Sequence, residues 1–341
     1  MVTVSAILTS YNVEPYIATA MQSVIDAGFE ALELIVVDDG STDATRQVAD
    51  CIGQMADPNK VHYKPIFFAQ NTIGGVACAA NAGLDHASGD IIIMVDGDDW
   101  VEPQALAQAV QQLAQSRADF IVCGCQEYWN NTGSYTRYPE AHIWAQAARE
   151  ADKTTRQQLL LQMAPFPWRK IYRRAFLERH KIRFPVGDYF FEDNPFHWET
   201  TLRAEQFILF DAITHTHRMA RQGQTVTSMG VKPLQIFDHA RTIAQTLDAT
   251  QQDATFDAAY FRWLADHVLW CGRYVSPHGL NRLFDQATAA FAPYPQDRFF
   301  EYLEHKDRSW AEITQLTALK LNDRLGFLNA LKPKESSKAD K

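Results

Sequence analysis

The sequence predicts an α/β fold, with a mostly parallel central sheet flanked by helices and a C-terminal helical extension. Short apolar runs alternate with helical stretches up to about residue 125, the rhythm of a sheet covered on both faces. Two of those runs, Leu34-Ile35-Val36-Val37 and Ile91-Ile92-Ile93-Met94-Val95, end abruptly in acidic turns. From about 233 to 330, aromatics such as Phe237, Phe256, Tyr260, Phe261, Trp263 and Trp270 fall at helical spacing.

Residues 2–9 read as the first strand and Ser10-Tyr11-Asn12 as the loop after it. Pro15 suits a helix's first turn; Ile17, Ala20, Met21, Val24 and Ile25 then share one face until Gly28 ends it. A strand over 32–37, a helix over about 43–56 and a strand near 61–67 follow. Gly74 to Gly83 is a glycine-opened helix of small residues, which lets a sheet or ligand approach its backbone. Strand 91–95, a helix from Pro103 to about 116, and strand 119–125 complete the alternation. Beyond these, Tyr128 to Tyr138 predicts a hairpin and 152–165 a helix. The basic stretch Arg169 to Arg183 contains Glu178 as its one acid. It reads either as a helix with Ile171, Tyr172 and Phe176 turned inward, or as a grip for a lipid diphosphate or an anionic membrane surface.

A 341-residue chain accommodates two domains at about 150 residues each. The expected boundaries are 1–230 for the α/β domain, 231–330 for the helical region and 331–341 for a polar, disordered tail. The 46% hydrophobic and 21% charged composition is that of a soluble globular protein, and a net charge of −9 argues against a general nucleic-acid binder. Met1 to Leu8 reads as a strand rather than a signal peptide. No apolar run reaches the roughly eighteen residues of a membrane span, so a cytoplasmic protein is expected. Five cysteines without metal-ligand spacing predict reduced core thiols.

Asp96-Gly97-Asp98-Asp99 sets three carboxylates within four positions at a buried strand's end. They repel one another unless a cation sits among them, and a hard divalent ion, Mg²⁺ or Mn²⁺, prefers oxygen ligands and bridges to diphosphates. Asp38-Asp39-Gly40-Ser41-Thr42-Asp43 ends the other strand, so both acidic ends point to one polar site at the carboxyl edge of the sheet. Glu192-Asp193 follows the aromatic run Tyr189-Phe190-Phe191, where partial desolvation raises a carboxyl pKa toward that of a general base. The same pair would also suit the cap of a helix beginning at Pro195.

Taken in order, Ser10-Tyr11-Asn12, VVDDGSTD at 36–43, the segment from Gly74 to VDGDDW at 95–100, and WRKIYRR with RFP and FFED over 168–193 resemble family 2 glycosyltransferases of the GT-A fold, of the bacterial type that extends surface polysaccharides. The resemblance spans roughly the first 230 residues. It implies inverting transfer of a sugar from a nucleotide diphosphate donor, a UDP-sugar, to a hydroxyl of a glycan or lipid-linked acceptor. By that resemblance Asp98, Asp96 and His217 hold the metal, and Asp96 also accepts from ribose. Asp38 or Asp39 accepts from the nucleotide base while the other caps the following helix. Ser10, Tyr11 and Asn12 form the opposite wall. Asp193 is the base, with Glu192 orienting hydroxyls. Arg218 or Arg221, in the loop His215 to Thr225, binds the diphosphate. Two departures stand out: Ala79-Ala80-Asn81 where the family often has ARN, and Phe184-Pro185-Val186-Gly187 where it has FPEG.

Two other readings carry less. A sugar-1-phosphate nucleotidyltransferase needs a glycine- and lysine-rich N-terminal phosphate loop, which Ser10 to Glu14 does not supply. A non-catalytic sugar-nucleotide-binding partner has no need of the acids at 96, 98 and 193. The C-terminal helices could dimerise or dock a membrane protein, but their aromatic spacing favours covering a core.

Overall fold

The computed structural model describes residues 2–187, 190–221, 230–304 and 308–331. Tyr189, the segment Gln222 to Thr225 and the expected disordered tail lie outside the described residues apart from Leu331. The chain divides into two compact units, Met1–Gln224 and Thr225–Lys341.

In the first unit, β1 (Val4–Ser10), α1 (Ile17–Ile25), β2 (Leu32–Asp38), α2 (Thr45–Met55), β3 (Val61–Phe67), α3 (Gly75–His86) and β4 (Ile91–Asp96) follow the predicted alternation. Strands β3, β2, β1 and β4 lie side by side and parallel, and the register sets Ser10 beside Asp38 and Thr9 beside Asp96. Both acidic strand ends therefore emerge at one edge, flanking β1. Alternate side chains feed two cores: Leu34 and Val36 join one, Ile35 and Val37 the other. Within α3, Gly83 presses on β1, since a Cβ there would lie 2.3 Å from Ile7 Cγ2.

Next come β5 (Trp100–Val101), α4 (Pro103–Gln115), β6 (Phe120–Trp129), β7 (Ser134–Arg137), α5 (Ala141–Ala147), α6 (Lys153–Leu160), β8 (Lys170–Arg173), α7 (Arg174–His180), α8 (Asp193–Arg203) and β9 (Phe207–Met219). The hairpin is β6 with β7. The sheet is parallel throughout only in its first half and mixed in its second. Strand β8 inserts antiparallel between β4 and β6, β9 runs parallel to β6, and β5 pairs antiparallel with β9.

The basic stretch is only partly the helix expected: Arg174 to His180 forms α7, with Phe176 buried. Lys170 to Arg173 is a strand, and its cations turn inward: Arg169 Nη1 donates to Glu140 at 2.6 Å, with both side chains buried. Arg173 donates to the carbonyls of Leu113, Ser116 and Ala118, Arg174 to that of Gly89. Arg183 bonds Asp85 and Glu178. These four cations close the chain on itself, while Arg179 and Lys181 of the same stretch are exposed. Among the described residues no helix is long and apolar enough to cross a membrane.

The second unit contains α9 (Ile236–Ala249), α10 (Asp253–Tyr274), α11 (Leu280–Phe291), α12 (Gln296–Leu303), α13 (Trp310–Lys320) and α14 (Arg324–Ala330). Its aromatics build a core of their own: Phe261 meets Phe291, Tyr294, Phe299 and Tyr302 at centroid distances of 5.1–5.4 Å. All five cysteines are free thiols.

Candidate active site

The DDG turn after β2 is held by its own acids. Asp38 is fully buried and accepts from Ser10 Oγ at 3.1 Å, Ser41 N at 2.8 Å and Arg46 Nε at 2.6 Å. Asp39 accepts from Thr72 N and Asn71 Nδ2, each at 2.9 Å, and burial raises its pKa. Neither acid caps α2, contrary to expectation; Asp43 accepts from Thr45 N at 3.0 Å instead. Asn12 accepts from Thr42 N at 2.8 Å, which ties the first loop to this turn, and Tyr11 beside it is exposed. Gly40 has φ +81°, and a Cβ there would lie 2.2 Å from the backbone of Gln70 and Asn71. Gly40→Ala is therefore expected to lower stability by about 2–4 kcal/mol, from left-handed strain plus backbone overlap, read as a fall in the urea midpoint at unchanged slope.

The acidic turn after β4 is braced from β9. His217 Nδ1 donates to Asp99 at 2.7 Å, and Arg218 N donates to the other oxygen of that carboxylate at 2.8 Å. Burial opposes charge on His217, but Asp99, with Asp96 and Asp98 beyond, lifts its pKa to about 9. Asp96 accepts from Thr9 Oγ1 at 3.0 Å; burial, then repulsion from Asp99 and Asp98, pushes its carboxyl up to about 7. The segment expected as a loop is thus partly strand, since His215 to Met219 ends β9.

Arg218 and Arg221 play different parts. The Arg218 guanidinium sits over the rings of Tyr16, Trp100 and Tyr128 at 4.6, 4.8 and 5.7 Å, donates to the Asp98 carbonyl at 2.8 Å and reaches Asn130 at 3.0 Å. So engaged, it braces the turn after β4. Arg221 pairs with the Asp98 carboxylate itself.

The second pair of acids opens α8. Phe191 takes φ +72°, an unusual conformation for a bulky side chain, immediately before Glu192 and Asp193. Glu192 makes no side-chain capping bond, so the capping reading does not hold for it. Burial, with Asp193 and Asp96 nearby, raises Glu192 to about 7; burial raises Asp193 to about 6 against the pull of Lys170 and Asn194.

One cavity joins the two halves. Thr9, Met94, Val95 and Asp96 line it from the sheet, Val76, Ala77 and Ala80 from α3, Phe166, Pro167, Trp168 and Phe184 from connecting segments, and Glu192 and Asp193 from the head of α8. Phe166 stacks on Trp168 at 4.6 Å and Phe184 on Phe196 at 4.1 Å. Asn81 holds Phe184 by both its backbone N–H and carbonyl, each at 2.9 Å. No pattern in the sequence announces these aromatic walls, because they come from separate segments. Ala80, the departure from ARN, is part of the lining.

Among the described residues no group of three or more His, Cys, Asp or Glu side chains forms an all-protein metal cage. Asp98, Asp96 and His217 are accordingly not a closed triad: Arg221 engages Asp98 and Asp99 engages His217. Their chemistry fits a hard divalent ion held by one or two carboxylates together with substrate phosphates, and such a cation would relieve the repulsion from Asp99 and Asp98 that adds to burial in raising Asp96.

The glycosyl transferase family 2 model matches residues 5–181, more than half of the chain. The chain belongs to this family. The putative glycosyltransferase EpsH of Bacillus subtilis is 30% identical over 54% of this chain and 50% of its own length. The poly(ribitol-phosphate) β-N-acetylglucosaminyltransferase TarS of Staphylococcus aureus is 26% identical over 78% of this chain and 44% of its own length. The chain spans between 31% and 64% of the first four curated relatives it matches. Among solved structures, S. aureus TarS 1-349 in complex with UDP-GlcNAc superposes with a TM-score of 0.77 at 22% identity, covering 96% of this chain and 90% of its own. The Pyrobaculum calidifontis mannosyltransferase PcManGT in complex with GDP-Man and Mn²⁺ reaches 0.52 at 17% identity, covering 97% and 85%. These two likenesses show the shared GT-A fold.

Proposed function

We propose that this family 2 member is an inverting, metal-dependent glycosyltransferase. It moves a sugar from a UDP-sugar to a hydroxyl of a glycan or lipid-linked acceptor in surface-polysaccharide synthesis, working in the cytoplasm. The observation that carries the reading is the single cavity in which strand-end Asp96 and helix-head Glu192 and Asp193 take part together. The UDP-GlcNAc bound by TarS, the neighbour with the higher TM-score of the two, supports the choice of nucleotide.

Asp39, with fewer protein bonds than Asp38, accepts from the base, with Tyr11 and Asn12 as the facing wall. Asp98 and Asp96 would hold a divalent ion, Mn²⁺ or Mg²⁺. The hydrogen bond that His217 Nδ1 donates to Asp99 orients that ring, and Nε2 would join the ion on releasing the proton that the surrounding acids otherwise keep on the ring. When bound, the ion supplies Lewis-acid stabilisation for the departing diphosphate. Arg221 adds a positive charge there. Asp193 takes the acceptor hydroxyl's proton as that oxygen bonds to the anomeric carbon on the face opposite the leaving diphosphate, so the configuration inverts. Glu192 orients sugar hydroxyls, and Phe166, Trp168 and Phe184 exclude water from the reacting face.

The test is nucleotide release from UDP-GlcNAc and other UDP-, GDP- and dTDP-sugars with Mn²⁺, read beside donor-induced thermal shifts. Release of UDP that a chelator stops is expected. A donor-induced shift with no nucleotide released from any of them would favour the non-catalytic binding partner.

A further inference from the structure

Trp168 links the cavity to the acidic turn, a part beyond that of a wall that excludes water. Its buried indole lies nearly parallel to two other rings: that of Phe166, at a centroid distance of 4.6 Å and an angle of 12°, and the His217 imidazole, at 5.6 Å and 18°. Both are the separations of offset-stacked rings. The chain around the indole is fixed. Glu140 accepts from Ala164 N at 2.5 Å and from Arg169 Nη1 at 2.6 Å, so one buried carboxylate pins both ends of the segment that carries Phe166 and Trp168. His217, by contrast, is partly exposed. Its bond to Asp99 sets the position of Nδ1. A hydrogen bond at one corner of a ring fixes that corner, whereas a flat surface packed along the ring fixes its plane. Trp168 supplies that surface.

We propose that Trp168 is a positioning residue for metal binding: its indole sets the plane of the His217 ring, so that Nε2 can join the divalent ion. The inference deepens the reading of His217 as a ligand and rests on it. It also makes one residue serve two parts of the site, because the same indole lines the cavity beside Asp96, Glu192 and Asp193. The stack suits the imidazole both before and after an ion binds. A ring that carries a proton or an ion is electron-poor, and among aromatic side chains the indole face attracts a cation best. Partners that orient a metal-bound histidine typically change metal affinity by about 10- to 100-fold when they are removed.

The test is the Mn²⁺ Kd, measured by calorimetry at saturating UDP, for wild type, Trp168→Met, Trp168→Phe, His217→Ala and the double variant Trp168→Met with His217→Ala. Methionine fills the space with an adaptable apolar chain but offers no flat face. Trp168→Met is expected to weaken Mn²⁺ binding by about 10-fold, and Trp168→Phe, which keeps a flat ring, should restore most of that loss. With His217 already removed, Trp168→Met should cause no further loss, because two residues that act through one contact are not additive. A wild-type Kd in folded Trp168→Met overturns the inference. So does an equal loss with and without His217, or a loss in Trp168→Phe as large as in Trp168→Met. If Trp168→Met does not fold, Phe166→Leu decides in its place: stripping Trp168 of its stacked neighbour should weaken Mn²⁺ binding, and an unchanged Kd overturns the inference. No Mn²⁺ binding by wild type, or an unchanged Kd in His217→Ala, would instead remove the reading of His217 as a ligand, and the inference with it.

Discussion

Asp193→Asn is expected to lower kcat by about 10²–10⁴-fold, the usual contribution of a general base, while donor affinity stays at the wild-type level. Asparagine keeps the shape of the side chain but cannot take the acceptor's proton. The residue opens α8 and lines the cavity with Asp96, so the change leaves the far carboxylates of the acidic turn in place. The pH dependence follows from its environment. Burial raises the carboxyl to about 6, and only the ionised form accepts a proton, so kcat should climb as pH rises through about 6 and level off above it. Steady-state kinetics over that range, with the donor Kd from calorimetry, check both parts. Wild-type turnover in the variant would remove Asp193 from its role.

Asp98→Asn should abolish the metal-dependent part of donor binding. A divalent ion on a diphosphate contributes several kcal/mol of charge stabilisation, so the donor Kd with Mn²⁺ should rise by about 100-fold or more and become insensitive to a chelator. Asp99 cannot take over, because it is already committed to His217 and to the Arg218 backbone. The variant also leaves Arg221 without its carboxylate partner, but that partner is the group donor phosphates would replace. Donor titrations with and without Mn²⁺ separate the two effects. A metal-dependent Kd equal to wild type would show that Asp98 does not hold the ion.

Much of the first half of the fold is legible because its information is local. Ile17, Ala20, Met21 and Val24 announce α1 by spacing, and the apolar runs that become β2 and β4 stop where their acids begin. The second half is written at long range. Lys170 and Arg169 look like a solvated helix face until Glu140 and His197, distant in sequence, accept their hydrogen bonds in the core. The end of β9 reads as a polar loop because its threonines and histidines face β6, far back along the chain, and the two residues of β5 are too few to leave a pattern.

The site divides in the same way. The acids at 38, 39, 96, 98, 192 and 193 stand out in the sequence because carboxylates clustered at strand ends or after an aromatic run are costly without a use. Their partners do not stand out. The box around Arg218 takes Tyr16, Trp100 and Tyr128 from three separate stretches, and only the folded chain shows that this arginine braces the turn while Arg221 meets Asp98. The role of Asn81 is equally invisible, because it holds Phe184 across 103 positions.

The most direct measurement is a crystal structure of the Asp193→Asn variant with an intact UDP-sugar and Mn²⁺. The anomeric carbon should lie in the cavity lined by Asp96, Glu192 and residue 193, with the ion on Asp98 and the diphosphate, and with the substituted side chain on the opposite face of the sugar. A donor sugar seated outside that cavity, or an ion bound away from Asp98, would contradict the account.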